Sequence, residues 1–272
     1  MKPGAWLTSL GAEILKQHRS RTAGKAVFFS LLLWPALGFV TAYFSMRPYR
    51  TGEGSVLSRV IPDGNIPLFL LSGYLVFQLF WTVVQSAWLF ERERREGTLE
   101  LVFMTPSSKT AFLFGRSLYS LLHGIWMFAV FAVLTFLLVA DASRVHWAAL
   151  IGALLLIVAS AAVWGALLSA LALFSRDAGF LYYIFQAPME LFGGVRVPPQ
   201  VFPGWAAGLS LLFPVTYSLI LVRGALYGSL GTGWRNACLT LLVFDLAVLG
   251  LSFLLLRYAE HYARQKGSWT MF

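Results

Sequence analysis

From Val145 to Phe174 the chain runs thirty residues without an Asp, Glu, Lys or Arg. About 20 helical residues cross the roughly 30 Å hydrocarbon core of a bilayer, and a soluble helix of this length would carry charge on its watered face. The stretch therefore reads as a membrane span. Similar runs predict further spans over Ala26–Met46, Leu68–Phe90, Ala111–Val139 and Ala237–Leu256, with another beginning at Ala178. Of 272 residues only 12% are charged, about half the share of a soluble domain. The expected fold class is all-α integral membrane: six transmembrane helices in a single domain over 1–272, multi-pass in a cell membrane. No room remains for a large soluble domain.

The breaks between runs carry the remaining organisation. Residues 1–25 place Trp6, Leu7, Leu10, Ile14 and Leu15 on one helical face and end in Lys16, Arg19, Arg21 and Lys25. That is the pattern of an N-terminal interfacial helix. No short apolar core with a small-residue cleavage site precedes it, so the run from Ala26 is expected to be retained as a span. Pro35 is expected to kink that span. The fifth run is interrupted by Pro188, Gly193, Gly194, Pro198, Pro199 and Pro203, and the apolar stretch from Gly204 to Tyr217 is too short to span. A re-entrant or broken segment over 188–217 is expected between spans five and six, with its apolar stretch ending at Pro214.

Residues 91–106, ERERREGTLELVFMTP, form the one dense charge run. Leu99, Val102 and Phe103 fall on one side of a helix drawn through it, with Glu96 and Glu100 four apart on another. Gly97 permits a sharp bend between span two and this short helix. With the N-terminus inside, the cytoplasmic ends carry twice as many Lys and Arg as the opposite ends, which places both termini and the charged segment in the cytoplasm. A solvated, mixed-charge surface with an apolar face there is expected to dock a partner.

The run ERERREGTLELVFMTPSSKTAFLFGRSL resembles the cytoplasmic loop of the ABC-2 type permease family, through Glu93, Glu96, Gly97, Thr98, Glu100, Thr105, Pro106 and Arg116. A second stretch, FGGVRVPPQVFPGWAAGLSLLFPVTYSLILVRGALYG, is similar to a downstream motif of the same family, through Gly194, Pro198, Pro203, Trp205, Pro214, Tyr217, Arg223 and Gly228. Arg196 stands where such proteins have an apolar or small residue. The resemblance implies a half-transporter in an inner membrane, working in efflux. Its cytoplasmic coupling helix between spans two and three would seat in a separate ATP-binding cassette ATPase subunit, and a second permease copy, as a homodimer, or a related permease would complete the translocation unit. Docking would use Leu99, Val102 and Phe103 as apolar contacts and Glu93, Arg94, Glu96 and Glu100 as charge partners, with Gly97 and Thr98 shaping the turn.

Other chemistries find little purchase. No phosphate-binding glycine loop is present, since Ala23–Lys25 lacks the glycine and hydroxyl it needs. No cofactor is therefore expected on this chain, ATP and Mg being bound by the partner. No catalytic residues are identified: there is no HExxH pattern or serine–base pairing, and Cys238 with four scattered histidines offers no metal-ligand spacing. The net charge of +9 is that of a membrane protein with basic cytoplasmic ends, and nucleic acid is not an expected partner; membrane lipid is.

Glu190 and Asp245 are costly in lipid and are candidate pathway residues, as are Gln78 and Gln85. For Glu190 a pairing with Arg196 or Arg223 is the structural alternative. An ion-gradient-driven carrier would rest on Glu190 and Asp245. The short outer loops fit a hydrophobic or amphipathic substrate, such as a drug, lipid-linked molecule or peptide, more readily than a long polysaccharide or lipid-glycan.

Overall fold

The computed structural model describes residues 3–21, 65–97, 109–138, 142–172 and 178–266, with isolated positions between them. Every regular element among the described residues is helical. They are α1 (Pro3–Arg21), α2 (Ile66–Arg95), α3 (Lys109–Leu138), α4 (Trp147–Ala172), α5 (Ala178–Leu181), α6 (Ala187–Phe192), α7 (Gly204–Ser210), α8 (Pro214–Leu226) and α9 (Thr232–Lys266). A π turn, Tyr182–Gln186, joins α5 to α6, and 3-10 turns stand at Ala142–Arg144 and Pro199–Val201.

Among the described residues three helices are long and apolar enough to cross a bilayer: Ile66–Val84 of α2, Trp147–Ala172 and Thr232–Ala259 of α9. The bent pair α7–α8 would make a fourth. In α3 the apolar stretch is Leu118–Val133. Two thirds of the first expected span, Ala26–Met46, including its expected kink at Pro35, lies outside the described residues.

α2 is the central post. It packs on α3, α4 and α8, and 83% of its apolar window is buried, against 28% for α9. Leu70, Val76, Phe80 and Val83 are fully enclosed. Asn65 starts the helix, its side-chain oxygen accepting the Leu68 N–H at 3.1 Å, as an N-cap does. α4 is buried by its small residues, Ser160, Ala161, Gly165, Ala166, Ser169 and Ala170, which admit neighbouring helices closely. α9, whose Leu239, Val243, Leu246 and Leu254 are all exposed, forms an outer wall against α4 and α8.

Several sequence expectations are corrected. Span two, expected over Leu68–Phe90, is longer as a helix: α2 continues through the charge run to Arg95, because Glu and Arg are good helix formers and nothing before Gly97 breaks the ladder. Pro214 does not end the short apolar segment. It occupies the first turn of α8, where a missing N–H costs no hydrogen bond, and α7 and α8 meet at 85°. Span six is longer than Ala237–Leu256 at both ends. α1 keeps Leu7 and Leu15 exposed, as an interfacial apolar face would be, and turns Glu13 and Gln17 inward, buried and hydrogen-bonded to each other at 2.8 Å. That buried face lies on α3, where a Cβ on Gly115 would come within 3.1 Å of Glu13 Cβ.

Candidate functional site

The charged end of α2 and the loop-rich region around its other end are the two places where chemistry-bearing residues gather. At the first, Glu93 and Arg94 lie in the last turn of α2, and Glu96 and Gly97 form an exposed turn after it. Gly97 has φ +68, a left-handed conformation in which a Cβ is strained. It closes a helix about 45 Å long by its 30 residues, well beyond the hydrocarbon thickness. Thr98, Leu99, Glu100, Val102 and Phe103 lie outside the described residues.

At the opposite end, the residues of the downstream motif converge on one unit. Arg223 in α8 reaches across to α2 and to the loop after α6. Its Nε donates to Ser72 Oγ at 3.3 Å, Nη1 to the Gly194 carbonyl at 2.9 Å, and Nη2 to the Phe69 and Val195 carbonyls at 3.0 and 3.4 Å. Its guanidinium also lies over the Phe69 ring, 3.5 Å from the centroid. Gly194 turns with φ +85 to present its carbonyl. The loop can approach α2 only because position 73 is glycine, since a Cβ there would stand 2.2 Å from the Val195 carbonyl oxygen.

The rest of the motif shapes the bend. Pro198 precedes the 3-10 turn and Pro203 precedes α7, both extended, as a residue bound by proline geometry favours. At the bend between α7 and α8 the last carbonyls of α7 exchange helical donors for tighter i+3 ones, Phe213 N–H donating to Ser210 O at 3.3 Å. Thr216 Oγ1 donates to Ser210 O at 2.6 Å and Tyr217 Oη to Leu211 O at 3.0 Å, satisfying two acceptors there. Trp234 Nε1 donates to Leu221 O at 3.0 Å and ties the start of α9 to the same unit. Between α7, α8 and the loop runs a groove of about 1030 Å3.

The candidate pathway residues do not form one site. Glu190 pairs with Arg196, its sequence-expected alternative. Asp245, buried on α9, accepts a hydrogen bond from Ser160 Oγ of α4 at 2.8 Å. Gln78 is buried and its Nε2 donates to Met127 Sδ of α3 at 3.6 Å, so it bridges two helices. The side chain of Gln85 lies outside the described residues. No group of three or more His, Cys, Asp or Glu arranged to hold a metal occurs among the described residues. Sequence reasoning missed Ser72, Phe69 and Ser160 as partners. It also missed Gln186, whose amide is buried in the π turn with neither atom hydrogen-bonded; only the proline after it, Pro188, signalled irregular backbone.

The sequence model of the ABC-2 type transporter family matches residues 5–227, a range containing both the charged turn and the Arg223 unit. The chain belongs to the ABC-2 type transporter family. No curated protein matches it significantly. An ABC-2 chain is a membrane transporter component, a permease domain that is not itself catalytic, and such permeases typically work with an ATPase partner. The matched range ends at Tyr227, so α9 lies beyond it.

Proposed function

We propose that the chain is the six-span permease half of an ATP-driven exporter, coupled to a separate ATPase subunit through residues 91–106 and paired with a second permease copy. The observation that supports the docking role is the Glu96–Gly97 turn: both residues are exposed, at the end of a helix that outruns the apolar slab, and Gly97 takes a left-handed conformation there. In this reading both termini and the turn face the cytoplasm. Leu99, Val102 and Phe103 enter a cleft of the ATPase while Glu93, Arg94, Glu96 and Glu100 set the register, and ATP and Mg stay on the partner. The exported molecule is hydrophobic or amphipathic, which fits the apolar walls presented by α4 and α9.

The test is affinity purification of the chain from its native membrane, with ATP hydrolysis measured on the wild type and on Glu96→Arg. Co-purification of an ATPase whose binding or coupling is lost in the variant is the expected result. Absence of any ATPase, with solute moving down an ion gradient instead, would overturn the reading and turn attention to Asp245 and Glu190.

A further inference from the structure

The Arg223 unit leaves one charge unanswered. All four side-chain hydrogen bonds of Arg223 go to neutral oxygens, and among the described residues no carboxylate pairs with it. Glu190, the acidic residue of the neighbouring segment, is engaged by Arg196. A guanidinium has five N–H groups, so one on Nη1 remains free of these four bonds. Arg223 is partly buried, and a partly buried cation in a membrane-embedded chain is costly without a counter-charge. It is also held rigidly, the condition under which an arginine fork recognises an oxyanion well.

Arg223 lines the groove together with Phe69, Gly194, Gly208, Leu219 and Ile220. The groove is mainly apolar along its walls, with Gln200, Ser210 and Thr216 among its polar lining, and positive at Arg223. Beside it, Trp205, Leu211 and Leu212 are 69%, 56% and 60% exposed, an apolar rim that in a membrane-embedded chain meets acyl chains. Charge complementarity and this rim together select an amphiphile arriving from the bilayer rather than a soluble anion.

We infer that the groove between α7, α8 and the 193–198 loop holds an acidic membrane lipid, with its phosphate-type head group on Arg223 and its acyl chains along Gly208, Leu219 and Ile220. The inference needs only a membrane-embedded chain and not an ATPase, so the docking experiment and this one fail separately.

The full chain is reconstituted in vesicles of equal phosphatidylglycerol and phosphatidylcholine, re-extracted gently, and its retained lipid counted by native mass spectrometry. The wild type retains phosphatidylglycerol over phosphatidylcholine by about tenfold or more, equivalent to about 1.4 kcal/mol. Arg223→Gln loses that preference. Because Arg223 also ties α8 to α2, the groove is tested independently with Gly208→Leu, whose Cβ meets no heavy atom within 4 Å: its melting midpoint is measured beside the wild type, and it is expected to retain neither lipid. Arg235→Gln, an exposed position on α9, behaves as wild type. Equal retention of both lipids by the wild type, or undiminished phosphatidylglycerol in Gly208→Leu, overturns the inference. Displacement of the lipid by millimolar inorganic phosphate overturns it too, by making the site one for soluble anions.

Discussion

Arg223 and Phe69, 154 positions apart in the chain, are joined twice: Nη2 donates to the Phe69 carbonyl at 3.0 Å and the guanidinium covers the Phe69 ring at 3.5 Å. This pairing fastens the α7–α8 bend to the first turn of α2. Lysine supplies the charge but only three donors and no planar fork, so Arg223→Lys forfeits at least one of the four hydrogen bonds. A loss of about 2–3 kcal/mol is expected, read as a lowered thermal midpoint in detergent. A midpoint equal to wild type would show that the fork does not hold the unit together.

Gly73 and Gly250 make a controlled pair. A methyl at 73 collides with the Val195 carbonyl at 2.2 Å, whereas at 250 it meets nothing within 4 Å. Gly73→Ala is expected to destabilise by about 1–3 kcal/mol through overpacking. Gly250→Ala, in mid-helix, is expected to be neutral or to stabilise by up to about 1 kcal/mol. Thermal unfolding of both variants checks the contrast, and similar midpoints would refute the close approach of the loop to α2.

Asp245 and Ser160 connect α9 to α4 through one buried hydrogen bond. If the carboxylate serves packing, Asp245→Asn keeps an acceptor for Ser160 and leaves solute export within about twofold of wild type, while Asp245→Leu strands the hydroxyl at a cost of about 1–3 kcal/mol. A double-mutant cycle with Ser160→Ala is expected to give a coupling of about 0.5 kcal/mol or more. Abolished export in a stable Asp245→Asn protein would instead assign Asp245 to ion coupling.

The Glu190–Arg196 pair is expected to matter little. Arg196 is 49% exposed, and ion pairs open to solvent contribute about 0–1 kcal/mol. Glu190→Gln should leave the thermal midpoint within a degree or two. A larger loss would mean that the pair is shielded from solvent in the membrane.

The long apolar helices were legible because uniform apolarity over more than 20 residues has few other outcomes; α4 was bounded within two residues at each end. The Arg223 unit was legible only as a motif. Its partners, Ser72 and the Phe69 carbonyl, sit about 150 residues earlier, and no periodicity announces which turn of α2 an arginine will meet. Pro214 misled because the same residue that stops one helix is favoured in the first turn of the next. Nothing in the sequence marked Glu13 and Gln17 as the residues of α1 that turn to α3; their mutual hydrogen bond removes the cost that would otherwise keep two polar side chains out of a packed contact. The π turn at Tyr182–Gln186 has no sequence signature of its own.

α2 joins the two regions as a single unbroken helix, with Arg223 gripping its first turn and Gly97 closing its last. In mechanical terms it is a lever whose fulcrum is the crowded middle, where Phe80 and Val83 are wholly enclosed. By its length of about 45 Å, a tilt of about 10° around the midpoint swings each end by about 4 Å in opposite directions. Under the proposed coupling, a push delivered at the charged turn would act as a pull on the α7–α8 bend, without any intervening element having to change its fold.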